Sequence, residues 1–443
     1  YNWAVWSPRL GVTWDVTGDG KTIAKLSLSQ YGDFMGTSTA GRWRPGGAGG
    51  WMNTYWLDAN RDHMVNLSEL WWYNTSTYAP YRMFDSAGNF TGDWNETAGV
   101  HWGGYDYQNP GKTTAPYQST AVGSGSTRTS EAMFTLDREL FTDFSLSLIG
   151  SFRRYDKFQW ALKYFADANG KIANIQSQSW YASAGKPPAN IPGLGDTGEA
   201  KNHEWYYQTA AATAYSPYTQ VQERPDFYQD YYGLDLVLNK RLSNKWMLNA
   251  NFTWQNKAQH YGSKGYTDPT NVWAYEGAPQ SAYIGGASGK INQYTYSRWM
   301  FKMGGLIQLP LDIDVAATFQ VREGWIIREY FRIFDYTLPN SRSNNAYLDM
   351  TTFGSARLPM FYNLTLRLEK MIRLGDTGRI YVMGDLFNVL NSAIENRRYQ
   401  KFHGTYYKYA NPALNRWVPN PNDYWLNEIL NPRVLRVGIR FTF

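Results

Sequence analysis

An all-β fold of long antiparallel strands is what this sequence predicts, and three observations predict it. Segments of roughly 10 to 14 residues alternate apolar and polar side chains, the period of a strand with two differently solvated faces. The connections between them also alternate: five are a few residues long, and five run from about 35 to 100 residues. Aromatics reach 17%, with 20 Trp and 35 Tyr, more than a soluble core needs. Their amphipathic rings favour boundaries between an apolar and a wet phase. Long strands suit a tilted barrel wall, and short turns on one rim with long loops on the other mark a barrel that spans an outer membrane. The expectation is an antiparallel up-and-down transmembrane β-barrel, with about eleven of its strands present here.

Taken in order, the first hairpin joins Trp3–Asp15 to Lys21–Gln30 through "VTGDG", whose residues accept positive φ. "FTLDREL" and "FSLSLIGSFRRY" flank "FTD" near Phe141, and "YGLDLVLNKRL" and "KWMLNANFTWQ" flank "SN" at Ser243. "MFKMGGLIQL" and "IDVAATFQVR" flank "PLD" at Pro310; "FYNLTLRLEKMI" and "RIYVMGDLFNVL" flank "GDTG" at Gly375. An unpaired last segment, "RVLRVGIRFTF", closes the series with Leu435, Val437, Ile439, Phe441 and Phe443 on one face and Arg436 and Arg440 on the other. In "NLTLRLEK", Leu364, Leu366 and Leu368 oppose Asn363, Thr365, Arg367 and Glu369; in "YGLDLVLNK", Leu234, Leu236 and Leu238 oppose Asp235 and Asn239. A half-wet soluble sheet shows the same alternation, so strand length and loop asymmetry carry the distinction.

Composition excludes several classes. No run of about 18 apolar residues exists, so no transmembrane helix is predicted. Cys is absent, which removes any disulfide framework. The net charge of +6 is spread along the chain without a Lys/Arg block, so no nucleic-acid partner is expected. HExxH, G-x-S-x-G and nucleotide fingerprints are missing; "GGASGKI" at Gly285 lacks P-loop spacing, and an enzyme is not expected. The start "YNWAVWSPRLGV" is no signal peptide, so either one was removed or the chain is a fragment.

The ordered series "WSPRLGVTWDVTGDGKTIAKLSLSQYG", "YYGLDLVLNKRLSNKWMLNANFTW", "FKMGGLIQLPLDIDVAATFQVREG", "LPMFYNLTLRLEKMIRLGDTGRIYVMGDLFNVLN" and "RVGIRFTF" resembles the C-terminal barrel half of TonB-dependent outer-membrane receptors, Oar-like branch. The resemblance covers the strands but not the loops. It implies a 22-strand barrel in a bacterial outer membrane, with a plug domain, an N-terminal barrel half and a TonB-contacting segment outside residues 1–443. It also implies uptake of an oligosaccharide, peptide or chelate into the periplasm. The terminal pattern Leu435, Val437, Ile439, Phe441, Phe443 resembles the signal read by the barrel-assembly machinery. Two other classes remain open: an adhesin or scaffold displaying aromatic loops, and a secreted glycan-active β-protein, which would have regular short loops and a carboxylate pair in a cleft.

Candidate sites concentrate in the long loop 34–127, expected to be extracellular. In "DANRDHMVNLSE", Asp58, Asn60, Asp62, the Met64 carbonyl and Glu69 take positions 1, 3, 5, 7 and 12 of an EF-hand-type loop, with Asn66 at position 9. Ca²⁺ is therefore an expected cofactor, although His63 stands where Gly normally permits the bend, and a polar surface turn is the alternative. Oar-like receptors carry a similar D-x-N-x-D-G loop. "DVTGDG" at Asp15 has Leu26 at the twelfth place and reads as a turn. Trp51, Tyr55, Trp56, Trp71, Trp72, Trp94 and Trp102 crowd the same loop, to contact a ligand or to form its own small core. Arg153, Arg154, Arg436 and Arg440, expected to face the lumen, either attract an anionic solute or pair with wall carboxylates.

Overall fold

The computed structural model describes residues 4–34, 55–73, 80–82, 84–87, 89, 118–120, 125–166, 172–174, 181–209, 217–223, 227–260, 270, 272–275, 297–339, 345–375, 377–398, 401–423 and 425–443. Eleven strands pair in chain order into one antiparallel sheet. They are β1 (Arg9–Asp15), β2 (Thr22–Gly32), β3 (Arg128–Phe141), β4 (Phe144–Asp156), β5 (Tyr228–Ser243), β6 (Trp246–His260), β7 (Trp299–Leu309), β8 (Ile313–Arg322), β9 (Phe361–Arg373), β10 (Arg379–Phe387) and β11 (Val434–Thr442). All five predicted hairpins form, and each long connection joins the second strand of one hairpin to the first strand of the next or to β11.

The turns follow from residues that tolerate positive φ. Between β5 and β6, Asn244 and Lys245 take φ of 50° and 69°, the primed turn that matches strand twist. Asp143 (φ 63°) bends the β3–β4 turn, Leu311 (φ 68°) and Asp312 (φ 56°) the β7–β8 turn, and Gly375 (φ 60°) the β9–β10 turn. At the first turn the Asp15 carboxylate accepts from the amides of Gly18 and Gly20 at 2.9 and 2.8 Å, an ordinary capped turn. One expectation fails at its edge. β1 starts at Arg9, not at Trp3, which lies outside the described residues. Pro8 has no N–H to offer, and its carbonyl takes the last bond of that ladder from Gln30 at 3.0 Å.

Register places the leucine rows on one face. Leu236 opposes Phe252 and Leu148, while Asp235 opposes Thr253. Leu234, Leu236 and Phe252 stay 42%, 43% and 38% exposed. Among the described residues the buried apolar cluster lies elsewhere, in the long connections: Ile191, Ala200, Trp205, Phe331, Ile333, Ala346, Leu348 and Tyr406. Among the described residues the leucine rows are thus packed against no second layer, which a water-soluble sandwich would require. An apolar face left open along eleven strands belongs in hydrocarbon.

The loop core is built on a four-stranded sheet whose strands come from two connections. Glu329–Asp335 pairs with Asn345–Asp349 and, in parallel, with Lys401–Lys408, which pairs with Arg416–Pro419. Among the described residues, the sheet of the wall has two free edges. β1 and β11 each pair on one side only, and Val437 and Ile439 on the outer face of β11 reach 69% and 74% exposure.

Candidate functional site

On the polar face of the wall, charges from adjacent strands meet in two clusters. Lys25 on β2 donates to Asp137 on β3 at 2.8 Å, which also accepts from Ser147 on β4 at 2.6 Å. Six residues further along β3 on the same face, Arg153 donates to Glu131. At the other end Arg436 on β11 donates from Nε and Nη2 to one Asp385 oxygen at 2.9 and 2.7 Å. Arg367 lies 3.7 Å from the same carboxylate and 3.2 Å from Glu369, which also meets Arg440 at 3.2 Å. Of the two readings open for these arginines, pairing with wall carboxylates is the one the geometry favours.

Arg154 corrects the expectation that it shares the lumenal face with Arg153. Neighbours in a strand point to opposite sides, so Arg154 stands with Leu148 and Phe152 on the outer face. It meets Asp230 at 2.9 and 3.0 Å, with the Tyr228 ring 4.6 Å from its guanidinium. Tyr228 stacks on His260 at 4.5 Å. These residues lie where β4, β5 and β6 approach the long loops, the place of an interfacial belt of amphipathic rings.

Between the clusters, on β5 to β9, the polar face opens into a hollow of about 350 Å³ around Gly304. Side-chain amides line it: Asn239, Asn249, Asn251, Gln320 and Asn363, with Lys302. Asn363 Oδ1 is buried there without a hydrogen-bond partner. No local pattern in the chain marks this hollow, because its residues are spaced along five strands and meet only through register.

In the long loop between β2 and β3, the Asp58 turn brings together the three carboxylates that the spacing singled out. One ligand oxygen from each of Asp58, Asp62 and Glu69 lies within 4.8 Å of the others. The backbone wraps inward: the amides of Asp62 and His63 donate to Asp58 at 3.1 Å each, and the Met64 amide donates to Asp62 at 2.7 Å. The amide of Leu57 bonds the Glu69 carbonyl at 3.0 Å and closes the loop. Glu69 is buried and accepts from Trp56 Nε1 at 3.2 Å. His63 adopts φ 59° at the place where Gly would relieve strain, and Arg61 adopts φ 61°. Asn60 Oδ1 takes the Asp62 amide at 2.9 Å, and the Met64 carbonyl accepts from Asn66 at 3.4 Å. Convergent hard oxygens on a closed loop fit a Ca²⁺-sized cation.

The aromatic candidates of this loop are only partly described. Trp56, Trp71 and the backbones of Tyr55 and Trp72 belong to a three-stranded sheet beside the turn, with Trp56 42% exposed. Trp51, Trp94 and Trp102 lie outside the described residues. The terminal candidates Leu435, Val437, Ile439 and Phe441 share the outer face of β11, and Phe443 follows it fully exposed.

No protein-family model matches the chain, and no curated protein matches it in sequence. Among solved structures it is similar to the outer membrane transporter YddB from Escherichia coli, at 10% identity and a TM-score of 0.41, covering 98% of this chain and 40% of that one. It is also similar to the ferric-catecholate import receptor Fiu from Escherichia coli K12, at 8% identity and a TM-score of 0.39, covering 98% and 34%. The FrpB iron transporter from Neisseria meningitidis follows at 8% identity and a TM-score of 0.37, covering 98% and 38%. The chain spans well under half the length of each of these three structures.

Proposed function

We propose that this chain supplies half the wall and the outer loops of a TonB-dependent outer-membrane receptor of the Oar-like branch, which takes up a solute into the periplasm. The observation that carries the reading is the pair of free edges on a sheet whose apolar face is open. Hydrocarbon does not tolerate unpaired backbone N–H and C=O groups. β1 and β11 therefore need further strands of the same receptor, and a cylinder of 22 supplies them. In this reading the plug sits against the polar face, the TonB complex acts through the N-terminal part, and the barrel-assembly machinery reads the outer face of β11. The amide-lined hollow with Lys302 offers polar contacts to the plug or to a passing oligosaccharide, peptide or chelate.

Ca²⁺ in the Asp58 loop belongs to the same proposal. Asp58, Asp62 and Glu69 would hold it, with Asn60 and the Met64 carbonyl as further oxygens. The ion would tie the loop into one conformation at the receptor surface.

The test is assembly in cells. Residues 1–443 expressed alone should give no SDS-resistant, heat-modifiable species, whereas co-expression with the preceding part of the receptor should restore one. A stable membrane barrel from residues 1–443 alone would overturn the incomplete-wall reading. An assembled receptor that takes up no solute even with the energising inner-membrane complex present would favour a surface adhesin or scaffold instead.

A further inference from the structure

The four-stranded loop sheet has two faces of different kind. One is buried in the loop core through Phe331, Ile333, Ala346 and Leu348. The other is paved with rings. Tyr330 stacks on Phe402 at 5.3 Å, Phe334 on Tyr407 at 5.9 Å, and Tyr336 on Tyr409 at 4.7 Å. Rings that stack face to face across strands turn their edges outward, and the edge is the positive end of an aromatic quadrupole.

Two guanidiniums stand among these rings. Arg332 lies 4.8 Å from the Phe334 centroid and 5.6 Å from that of Tyr347, and Arg416 lies 5.1 Å from that of Tyr407. Among the described residues, neither pairs with a carboxylate: Arg332 donates to Asn345 at 3.2 Å, and its Nε is buried without a partner. Asp349, at the margin of the face, is buried and ion-paired with Arg328. Stacking holds a guanidinium flat without neutralising it. The face is therefore positive through both its ring edges and its arginines.

We propose that this face binds an anionic polysaccharide at the cell surface, an inference that rests on the outer-loop placement in the receptor reading. Strand spacing puts Arg332 and Arg416 on the order of 12 Å apart, so a chain with repeated acid groups can meet both. Tyr330 and Tyr407 also bring phenolic hydroxyls to this face, groups that can exchange hydrogen bonds with sugar hydroxyls. A bound peptide strand is instead read by pockets for alternate side chains or by a sheet edge, and stacked rings close the gaps such pockets need.

The full-length protein, purified in detergent micelles, is titrated with polygalacturonate, dextran and polyglutamate. Polygalacturonate should bind with an affinity that falls as salt is added, and dextran should not bind at the same concentrations. R416Q, on an edge strand, should weaken binding about tenfold, and R332Q/R416Q about a hundredfold, one charge-assisted contact each. Heat-modifiable migration checks that each variant is folded, and R416Q alone decides the matter if R332Q does not fold. Unchanged affinity in R416Q, dextran bound as tightly as polygalacturonate, or polyglutamate bound as tightly, would each overturn the proposal. No energised membrane is involved, so a failure here leaves the uptake reading standing, and a failure of uptake leaves this one.

Discussion

Trp246 and Trp254 stand on the same outer face of β6, eight residues apart, and keep 37% and 43% of their surface exposed. At about 3.3 Å per residue and a tilt of about 40°, the two indoles are separated by roughly 20 Å of depth. That is the spacing of two aromatic belts around an apolar band. Ala250 lies midway between them, and Asn251, next to it, faces the polar side. Ala250→Arg should therefore cost about 2–4 kcal/mol of membrane insertion, whereas Asn251→Arg should cost little. Folding yield into lipid vesicles, read by heat-modifiable migration of the full-length protein, gives both numbers. Equal tolerance at the two positions would mean that the outer face does not meet lipid.

Asp385 is 4% exposed and holds Arg436 while lying beside Arg367. Asp385→Asn removes the carboxylate between Arg436 and Arg367, leaves Arg436 un-neutralised beside Arg367 with Glu369 still on Arg367, and should destabilise the wall by about 1–3 kcal/mol. The double variant Asp385→Asn with Arg436→Gln should recover part of that loss, since the repulsion goes with the second charge. Urea titrations of the four proteins in micelles form the cycle. Strict additivity would show that the pair is not coupled.

The wall was legible because its information is local. Alternation within a strand and turn residues beside it, as in "NLTLRLEK" or "SNK", need no distant partner to be read. The convergence of Asp58, Asp62 and Glu69 was legible for the same reason, the three carboxylates falling within twelve residues. The loop sheet was not. In "REYFRIFDY" aromatics occupy both faces, so the contrast between wet and dry positions on which a period-2 reading depends is missing. Its parallel pairing of Glu329–Asp335 with Lys401–Lys408 crosses the whole β9–β10 hairpin. Arg153 and Arg154 show a simpler lapse: adjacent residues of one strand cannot share a face, and parity alone assigns Arg154 to the outside.

Terbium can report the Asp58 loop, because Trp56 touches Glu69 at 3.2 Å and is placed to sensitise an ion held there. Luminescence should rise on adding Tb³⁺, be displaced by Ca²⁺ and vanish in Glu69→Gln. His63→Gly should tighten binding. It relieves a side chain held at φ 59°, worth roughly 1 kcal/mol or about fivefold in affinity, and it removes an imidazole that lies 3.2 Å from Asp58. Sensitised emission unchanged by Glu69→Gln would place the ion elsewhere.

At the foot of the β8–β9 loop, Glu323 accepts from the Arg298 backbone amide at 2.8 Å and from its guanidinium at 2.6 Å, with Arg357 at 3.1 Å. Burial acts to raise this carboxyl, but the Arg298 hydrogen bonds and the charge of Arg357 outweigh it and hold it below the usual carboxylate range. A carboxyl depressed in the folded state contributes stability that is full above its unfolded value and is lost as pH falls through the folded one. The junction should thus stay closed from neutral pH down to about pH 4.3, the ordinary glutamate value, and open progressively below it. Amide exchange at Arg298, corrected for the intrinsic pH dependence, should show protection falling across that acid range. Glu323→Gln should be less protected at neutral pH and show a flat profile. A wild-type profile as flat as the variant's would mean that these arginines do not depend on the Glu323 charge to hold the loop.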